Sequence, residues 1–249
     1  MIPRCTGLAG CYHAIMVHAL RAIESSPLAV RARIACSVIA GPLFVVGFTA
    51  IGARRAAYEW RRHAVSSLAS GHEGWSQRLN FVLVGGLYCS GAAGLARRAK
   101  EVVGPRALPA LIFGAGAGLI GSGLFVTDPV AGFPPSAGAL EGVCGQSGGQ
   151  VTRAGTLHNL CAIPIFFGIP IAALTCAVSA ARRRESRWAI YSAGSAFVMG
   201  ATSQLFGAAF GGSPRLAARG GVFQRISIAS GFGWVSALSP RALVCSHRS

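Results

Sequence analysis

Six apolar stretches, each close to the length that crosses a bilayer, dominate this chain of 249 residues. They cover residues 34–53, 79–96, 107–127, 157–181, 188–210 and 222–238. A hydrocarbon core of about 30 Å needs about 20 apolar residues in helical form, and a soluble domain has no use for six such runs. Only 12% of the residues are charged, about half the share in soluble proteins. The sequence therefore predicts an all-α, polytopic membrane bundle of about six transmembrane helices.

The same pattern divides the chain into two tails and one helical domain. We predict a six-helix transmembrane domain over residues 34–243 and a short C-terminal tail over residues 244–249. Residues 1–33 contain a mildly apolar stretch that is too short to span and is broken by His18 and Arg21. Two interpretations fit this segment: a cytoplasmic amphipathic tail, or an upstream extension of a protein that truly starts at Met16.

A net charge of +16 is compatible with nucleic-acid binding, but the distribution of the basic residues indicates contact with a membrane surface instead. The basic residues form short clusters at the ends of the apolar runs, which is the pattern of interface anchoring and attraction to anionic headgroups. No basic patch with interleaved aromatic residues remains outside the predicted spans. We expect membrane lipids or a membrane-protein partner as ligands, and no nucleic acid.

The distribution of Lys and Arg also predicts the orientation of the chain in the membrane. Six spans place both termini on one side, and that side carries 14 of the 23 basic residues. The first loop opposes this assignment with five arginines, whereas the long third loop supports it because Arg153 is its only basic residue. By the positive-inside rule, we predict a multi-pass protein of the cell membrane with both termini in the cytoplasm.

Small residues and prolines predict how the helices pack. The third span carries a series of glycines in which Gly114 and Gly118 form a G-x-x-x-G, a spacing typical of closely packed membrane helices. Pro164 and Pro170 in the fourth span free backbone carbonyls and bend a helix, which either lines a cavity or is purely architectural.

Polar residues collect at the predicted outer ends of the spans. The set comprises His63, Trp75, Asp128, His158, Gln224 and Arg225. Ionisable groups at membrane depth are costly and are therefore candidates for function. Each also has a structural interpretation: Asp128 can pair with Arg225 or Arg153, and Trp75 is typical of an interfacial aromatic belt.

Catalytic chemistry at these residues has limited support from the sequence. His63, Asp128 and His158 are the candidates for general acid–base catalysis or for a three-ligand zinc site. No close-spaced pair of metal ligands occurs, and no G-x-S-x-G turn frames Ser66 or Ser67. We therefore predict no metal and no cofactor.

Several of these segments carry a family resemblance. They are Gly74-Trp75 leading to Asn80-Phe81, Phe125-Val-Thr-Asp-Pro129, His158, and Phe223-Gln-Arg225. In this order and placement, the chain resembles the bacterial integral membrane family called domain of unknown function 998, over about residues 34–243. The resemblance implies a six-helix protein of the bacterial inner membrane with no established activity. The Gly-rich third loop is longer than the resemblance requires.

Three functions remain open at this point. The first is a non-enzymatic membrane protein that binds a lipid headgroup or a partner protein, with Trp75 and Arg225 holding the headgroup while Asp128, His158 and Gln224 shape the site. The second is a membrane-embedded enzyme for a lipid or isoprenoid substrate, with His63 or His158 as base. The third is a small-solute transporter with a polar path past Gln204.

Overall fold

A computed structural model of the chain describes residues 26–97, 107–135 and 151–244. Six long helices run through these residues. They are α1 (Pro27–Arg54), α2 (Trp75–Arg97), α3 (Leu108–Leu124), α4 (Arg153–Arg182), α5 (Ser186–Phe210) and α6 (Gly220–Val244). Single helical turns add Ser66–Ala69, His72–Gly74 and Pro214–Ala217. The predicted all-α bundle is confirmed.

Three helices in the described part of the chain are long and apolar enough to cross a membrane. They are α1, α4 and the segment His72–Arg97, which adds one turn to the start of α2. Helix α3 is apolar but shorter. The chain is a polytopic membrane protein, and its helices coincide with the six apolar runs. Most of residues 1–33 and of residues 244–249, the two predicted tails, lies outside the described ranges.

Helix α1 begins seven residues before the apolar run that predicted it, which started at Ile34. Pro27 occupies the first turn, where its missing N–H costs nothing, and the Ser26 hydroxyl accepts a hydrogen bond from the N–H of Ala29 at 3.2 Å. Hydropathy marks the part of a helix inside lipid, whereas capping residues mark where the helix begins.

The six helices form a closed ring. Each helix packs against the next along the chain, and α6 packs back against α1. Aromatic side chains fill part of the interior: the Phe44 ring lies 5.3 Å from those of both Phe81 and Phe232, and Tyr88 lies 5.2 Å from Phe232. The core of the bundle is therefore shared among α1, α2 and α6.

Glycines of α3 let it approach both of its neighbours. A Cβ at Gly116 would lie 2.8 Å from the carbonyl oxygen of Gly85 in α2, and one at Gly118 would lie 2.3 Å from that of Cys161 in α4. Gly114 has more room, with Pro164 at 3.7 Å. The close packing predicted for the third span is present, but Gly116 contributes more to it than Gly114.

Candidate functional site

Arg225, near the start of α6, holds the first loop in place. Its Nη1 donates hydrogen bonds to the carbonyls of Trp60 at 2.6 Å, Gly221 at 3.0 Å and His63 at 3.3 Å. Its Nη2 donates to the hydroxyl of Tyr58 at 2.6 Å, and that hydroxyl donates to the carbonyl of Ala64 at 3.0 Å. The planar guanidinium suits this role because it offers several donors in fixed directions.

Gln224 adds a second attachment between α6 and the same loop. Its Oε1 accepts the backbone N–H of Val65 at 2.7 Å, and its side chain is buried. Because an unpaired buried N–H is costly, this bond fixes the path of the loop. The neighbouring residues Gln224 and Arg225 thus fold residues 58–65 over the end of the helix ring.

His63 is buried inside this folded loop. Its Nδ1 accepts the N–H of Glu59 at 2.9 Å, so the ring nitrogen that carries a proton in the neutral state is Nε2. The ring lies 5.2 Å from Phe133, which is itself almost fully buried and 5.3 Å from Tyr58. His63 therefore belongs to an aromatic cluster that joins the first loop to the segment after α3.

The surroundings of His63 disfavour its protonated form. Burial lowers its pKa, and the positive charges of Arg62 and Arg225 act in the same direction. Glu59 and a hydrogen bond to the backbone of Ala131 oppose the shift.

Asp128 joins the end of α3 to the start of α4. Its Oδ1 accepts the hydroxyl of Thr152 at 2.6 Å and its Oδ2 accepts the N–H of Thr152 at 3.1 Å. Thr152 in turn caps α4, because its hydroxyl oxygen accepts the N–H of Gly155 at 3.0 Å. The carboxylate locks two helices together, as one interpretation proposed, but through Thr152 instead of Arg225 or Arg153.

The approach between Asp128 and α4 requires a glycine. A Cβ at Gly155 would lie 2.0 Å from Oδ2 of Asp128. The negative carboxylate also lies beside the positive end of the α4 dipole, which favours it there.

His158 lies one turn further along α4 and is buried. Its Nδ1 is 2.8 Å from the carbonyl oxygen of Phe125, and since that oxygen can only accept, Nδ1 carries the proton. The imidazole thus bonds the residue just after α3, and its ring packs edge-on to Phe81 at 6.3 Å.

A cavity of about 260 Å³ lies inside the ring, beneath the folded loop. All six helices contribute to its wall, which has an apolar and a polar part. The apolar part includes Phe44, Phe81, Phe166, Phe206, Phe210 and Phe232. The polar part consists of Ser66, Ser122, Thr127, His158, Asn159 and Gln224. We refer to these six polar residues as the rim.

The wall of the cavity reaches the surface of the bundle between α4 and α5. On the six long helices, five of the residues that line the cavity are partly or fully exposed. They are Asn159, Ala162 and Phe166 of α4, and Phe206 and Phe210 of α5. The first half of α4 packs mainly on α3. The Phe166 and Phe206 rings, 4.8 Å apart, lie between the two helices. Among the wall residues on the six long helices, the more exposed ones therefore lie on α4 and α5.

A π-helical turn at Pro164–Gly168 interrupts α4 next to the cavity. Such turns are rare and occur often at functional sites. Pro164 opens the turn, and its second and third residues, Ile165 and Phe166, line the cavity wall. Of the two interpretations of the prolines in this span, the cavity-lining one describes the turn that Pro164 opens, although Pro164 itself does not line the cavity.

The residues selected from the sequence separate into three groups. His158 and Gln224 line the cavity; His63, Asp128 and Arg225 hold its surrounding segments. Trp75 is 66% exposed at the start of α2, where an interfacial anchor would lie.

No group of three or more His, Cys, Asp or Glu side chains that could hold a metal ion occurs in residues 26–97, 107–135 and 151–244. The alternative of a zinc site made by His63, Asp128 and His158 has no support in this geometry, because these three side chains bond Glu59, Thr152 and Phe125 respectively.

Sequence reasoning missed the phenylalanines of the cavity, Tyr58 and Thr152. The six phenylalanines are spread over five helices, so no local spacing reveals them. A signal for Thr152 did exist: Thr three residues before Gly155 is typical of an N-cap.

Segments that carried the family resemblance supply one partner in each of these contacts: Gln224, Arg225, Asp128 and His158. A family model described as "Protein of unknown function (DUF998)" matches residues 38–240. The chain belongs to this family. Comparison with curated proteins and with solved structures finds no match.

The residues that carried the resemblance hold segments of this DUF998 chain together. Gln224 and Arg225 bind the first loop, Asp128 binds Thr152, and Asn80 Nδ2 donates to the carbonyl of Phe44 at 3.3 Å. These contacts surround the cavity, which makes the cavity the feature that the motif residues have in common.

Proposed function

We propose that this protein is a non-enzymatic lipid-binding protein of the membrane, which holds one lipid-class molecule in the cavity of the helix ring. The apolar part of the molecule lies among the phenylalanine rings and its polar end lies at the rim. The observation that carries the proposal is the composition of this wall, in which apolar rings and a small number of polar groups line one space inside the ring. Ligand sites in proteins generally combine apolar walls with a few polar groups in this way.

The volume supports partial occupation by a lipid. An apolar cavity of about 150 Å³ accommodates a benzene-sized guest. A volume of about 260 Å³ thus accepts one segment of a hydrocarbon chain, and the remainder of the molecule extends through the opening between α4 and α5.

The role of Arg225 in this proposal differs from the one expected from the sequence. Its guanidinium already donates to three carbonyls and to Tyr58, so it is committed to holding the loop. His158 and Gln224, together with the other rim residues, meet the polar end of the ligand. Trp75 anchors α2 at the interface.

The orientation proposed with this function places the cavity at the extracytoplasmic end of the helices. The excess of arginine and lysine on the opposite side supports it, with both termini in the cytoplasm. The ligand would then come from the outer leaflet of a cell membrane.

Native mass spectrometry of the protein released from gentle detergent tests the proposal. We expect a retained molecule of lipid mass on the wild type. Ala162→Phe adds a ring to the cavity wall and should remove most of it, whereas Ala208→Phe adds the same ring to an exposed position of α5 and should not. Equal retention by the two variants, or no retained lipid on the wild type after lipid is added back, would contradict the proposal.

The described contacts do not favour the two alternatives. An enzyme with a histidine base oriented by Asp128 requires a bond between them, but the carboxylate bonds Thr152. A transporter with a polar path past Gln204 requires that side chain inside the bundle, and it is exposed on α5.

A further inference from the structure

We infer that the ligand is a lipid that places one chain in the cavity and whose polar end is uncharged and hydrogen-bonding, such as an alcohol, ester or amide. This inference rests on the proposed function and names its ligand class. The argument uses the charges near the cavity, the unpaired polar atoms in its wall, and its volume.

The first step concerns charge. The rim contains no Asp, Glu, Lys or Arg. The nearby cations are committed elsewhere: Arg225 to carbonyls and Tyr58, and Arg55 to the carbonyl of Ser70 and the carboxylate of Glu73. The nearby carboxylate, Asp128, is held by Thr152. A phosphate or carboxylate buried here would find no arginine or lysine to pair with, and a buried charge without a charged partner is strongly disfavoured.

The second step concerns hydrogen bonding. Ser122 is a residue of the cavity wall, and its hydroxyl is buried and has no hydrogen-bond partner among the described residues, so a turn of this side chain would present the hydroxyl to a ligand. Buried polar groups in folded proteins are nearly always paired, so an unpaired one on a cavity wall indicates a ligand or water. A hydroxyl can both donate and accept, which suits an alcohol, and its donor alone suits an ester or amide carbonyl.

The third step concerns size. A cavity of about 260 Å³ has less than twice the volume of about 150 Å³ that holds one benzene-sized guest. That is enough for a polar end and part of one chain, but not for the glycerol backbone and two chains of a membrane phospholipid. The aromatic wall then contacts a single chain, which leaves past the contacting rings of Phe166 and Phe206.

Photoreactive probes test the ligand class directly. The protein is reconstituted in phosphatidylcholine nanodiscs and exposed to three probes that share a chain of about ten carbons with a diazirine. They end in a hydroxyl, a carboxylate or a phosphate. We expect the alcohol to label peptides that contain Phe166 or Phe206 about tenfold more than either anion.

Two separate serine-to-alanine variants provide the test and its matched control. Ser122→Ala should reduce labelling by the alcohol about threefold. Ser67→Ala also removes a buried, unpaired hydroxyl, but one that is not on the cavity wall, and should leave labelling unchanged. A general effect of losing a buried hydroxyl would affect both variants equally.

The outcomes separate this inference from the proposed function. Labelling of the same peptides by the phosphate or carboxylate probe, at or above the level of the alcohol, would overturn the uncharged class while supporting lipid binding in the cavity. Absence of labelling of these peptides by all three probes would overturn the inference, and with an empty native mass spectrum it would overturn the proposed function as well.

Discussion

Arg225 and Tyr58 are 167 residues apart in sequence, and the guanidinium of the first donates a 2.6 Å hydrogen bond to the hydroxyl of the second. This bond connects α6 to the loop after α1, and the hydroxyl of Tyr58 in turn donates a hydrogen bond to the carbonyl of Ala64. Ala64 lines the cavity. The loop is thus held closed over the cavity by two side chains that do not themselves line it.

Tyr58→Phe should lower the stability of the protein. The change removes a charge-assisted hydrogen bond from Arg225 and leaves a carbonyl without its donor, which costs about 1–3 kcal/mol. Thermal unfolding in detergent measures the loss. Tyr191→Phe, which removes a hydroxyl from an exposed tyrosine of α5, is the control and should have no effect. Identical melting temperatures for the two variants would show that the Arg225–Tyr58 bond contributes nothing.

Gly155→Ala should destabilise the protein, although alanine normally favours a helix by about 1 kcal/mol over glycine. The added Cβ would lie 2.0 Å from the Asp128 carboxylate and must displace it. Gly200→Ala in α5 is the matched control, because no atom of the described residues lies within 4 Å of its added Cβ. It should be neutral or stabilising.

A double variant separates the steric effect at Gly155 from a general effect of helix composition. In an Asp128→Ala background the obstacle is gone, so Gly155→Ala should cost less than it does in the wild type. The melting temperatures of the four proteins give this difference. If Gly155→Ala costs the same in both backgrounds, Asp128 does not occupy the position described here.

Acidification should destabilise the loop through His63. Its pKa in the folded protein lies below the ordinary value of about 6.5, so the unfolded chain takes up a proton first as the pH falls. The contribution of His63 is therefore complete above about pH 6.5 and is lost as the pH falls through the lowered pKa. Protonation also removes the acceptor for the Glu59 N–H.

Melting temperatures at about pH 7.5 and about pH 5.5 measure this effect. His63→Gln should reduce the difference between the two values, whereas His72→Gln should not, because His72 is exposed. A wild-type difference that survives unchanged in His63→Gln would assign the pH dependence to other groups.

The proposed orientation in the membrane predicts which cysteines can be labelled from outside the cell. Cys144 lies in the third predicted loop, and Cys5, Cys11 and Cys245 lie near the termini, all outside the residues that the structure describes. A membrane-impermeant maleimide applied to intact cells should label Cys144 and not the other three. Labelling of Cys5, Cys11 or Cys245 instead would place the cavity at the cytoplasmic end.

The helices could be predicted from the sequence because lipid imposes a strong local constraint. A helix that crosses a hydrocarbon core needs a continuous apolar run, and each of the six runs corresponds to a helix. The polar residues selected at one end of these runs do collect there: Asp128 and His158 each tie α4 to the end of α3, and Gln224 and Arg225 tie α6 to the first loop.

The cavity could not be predicted because it depends on contacts that are distant in sequence. Phe44, Phe81 and Phe232 belong to three helices, and each looks like an ordinary core residue in its own run. Charge complementarity alone also gave the wrong type of partner for Asp128, because it does not consider a cap hydroxyl and a backbone N–H. The sequence led us to expect that Arg225 holds a headgroup, because a sequence does not show which backbone carbonyls a side chain will bond.

The central claim is that a lipid chain occupies the cavity between the six helices. A crystal grown from a lipid mesophase with an alkyl alcohol brominated on a carbon close to its hydroxyl end tests it most directly, because the bromine can be located by anomalous scattering. We predict a bromine peak within the cavity, near Phe44 and Phe232, that is absent in Ala162→Phe. Bromine peaks confined to the outer surface of the helices, with the cavity of the wild type empty or filled by water, would contradict the account.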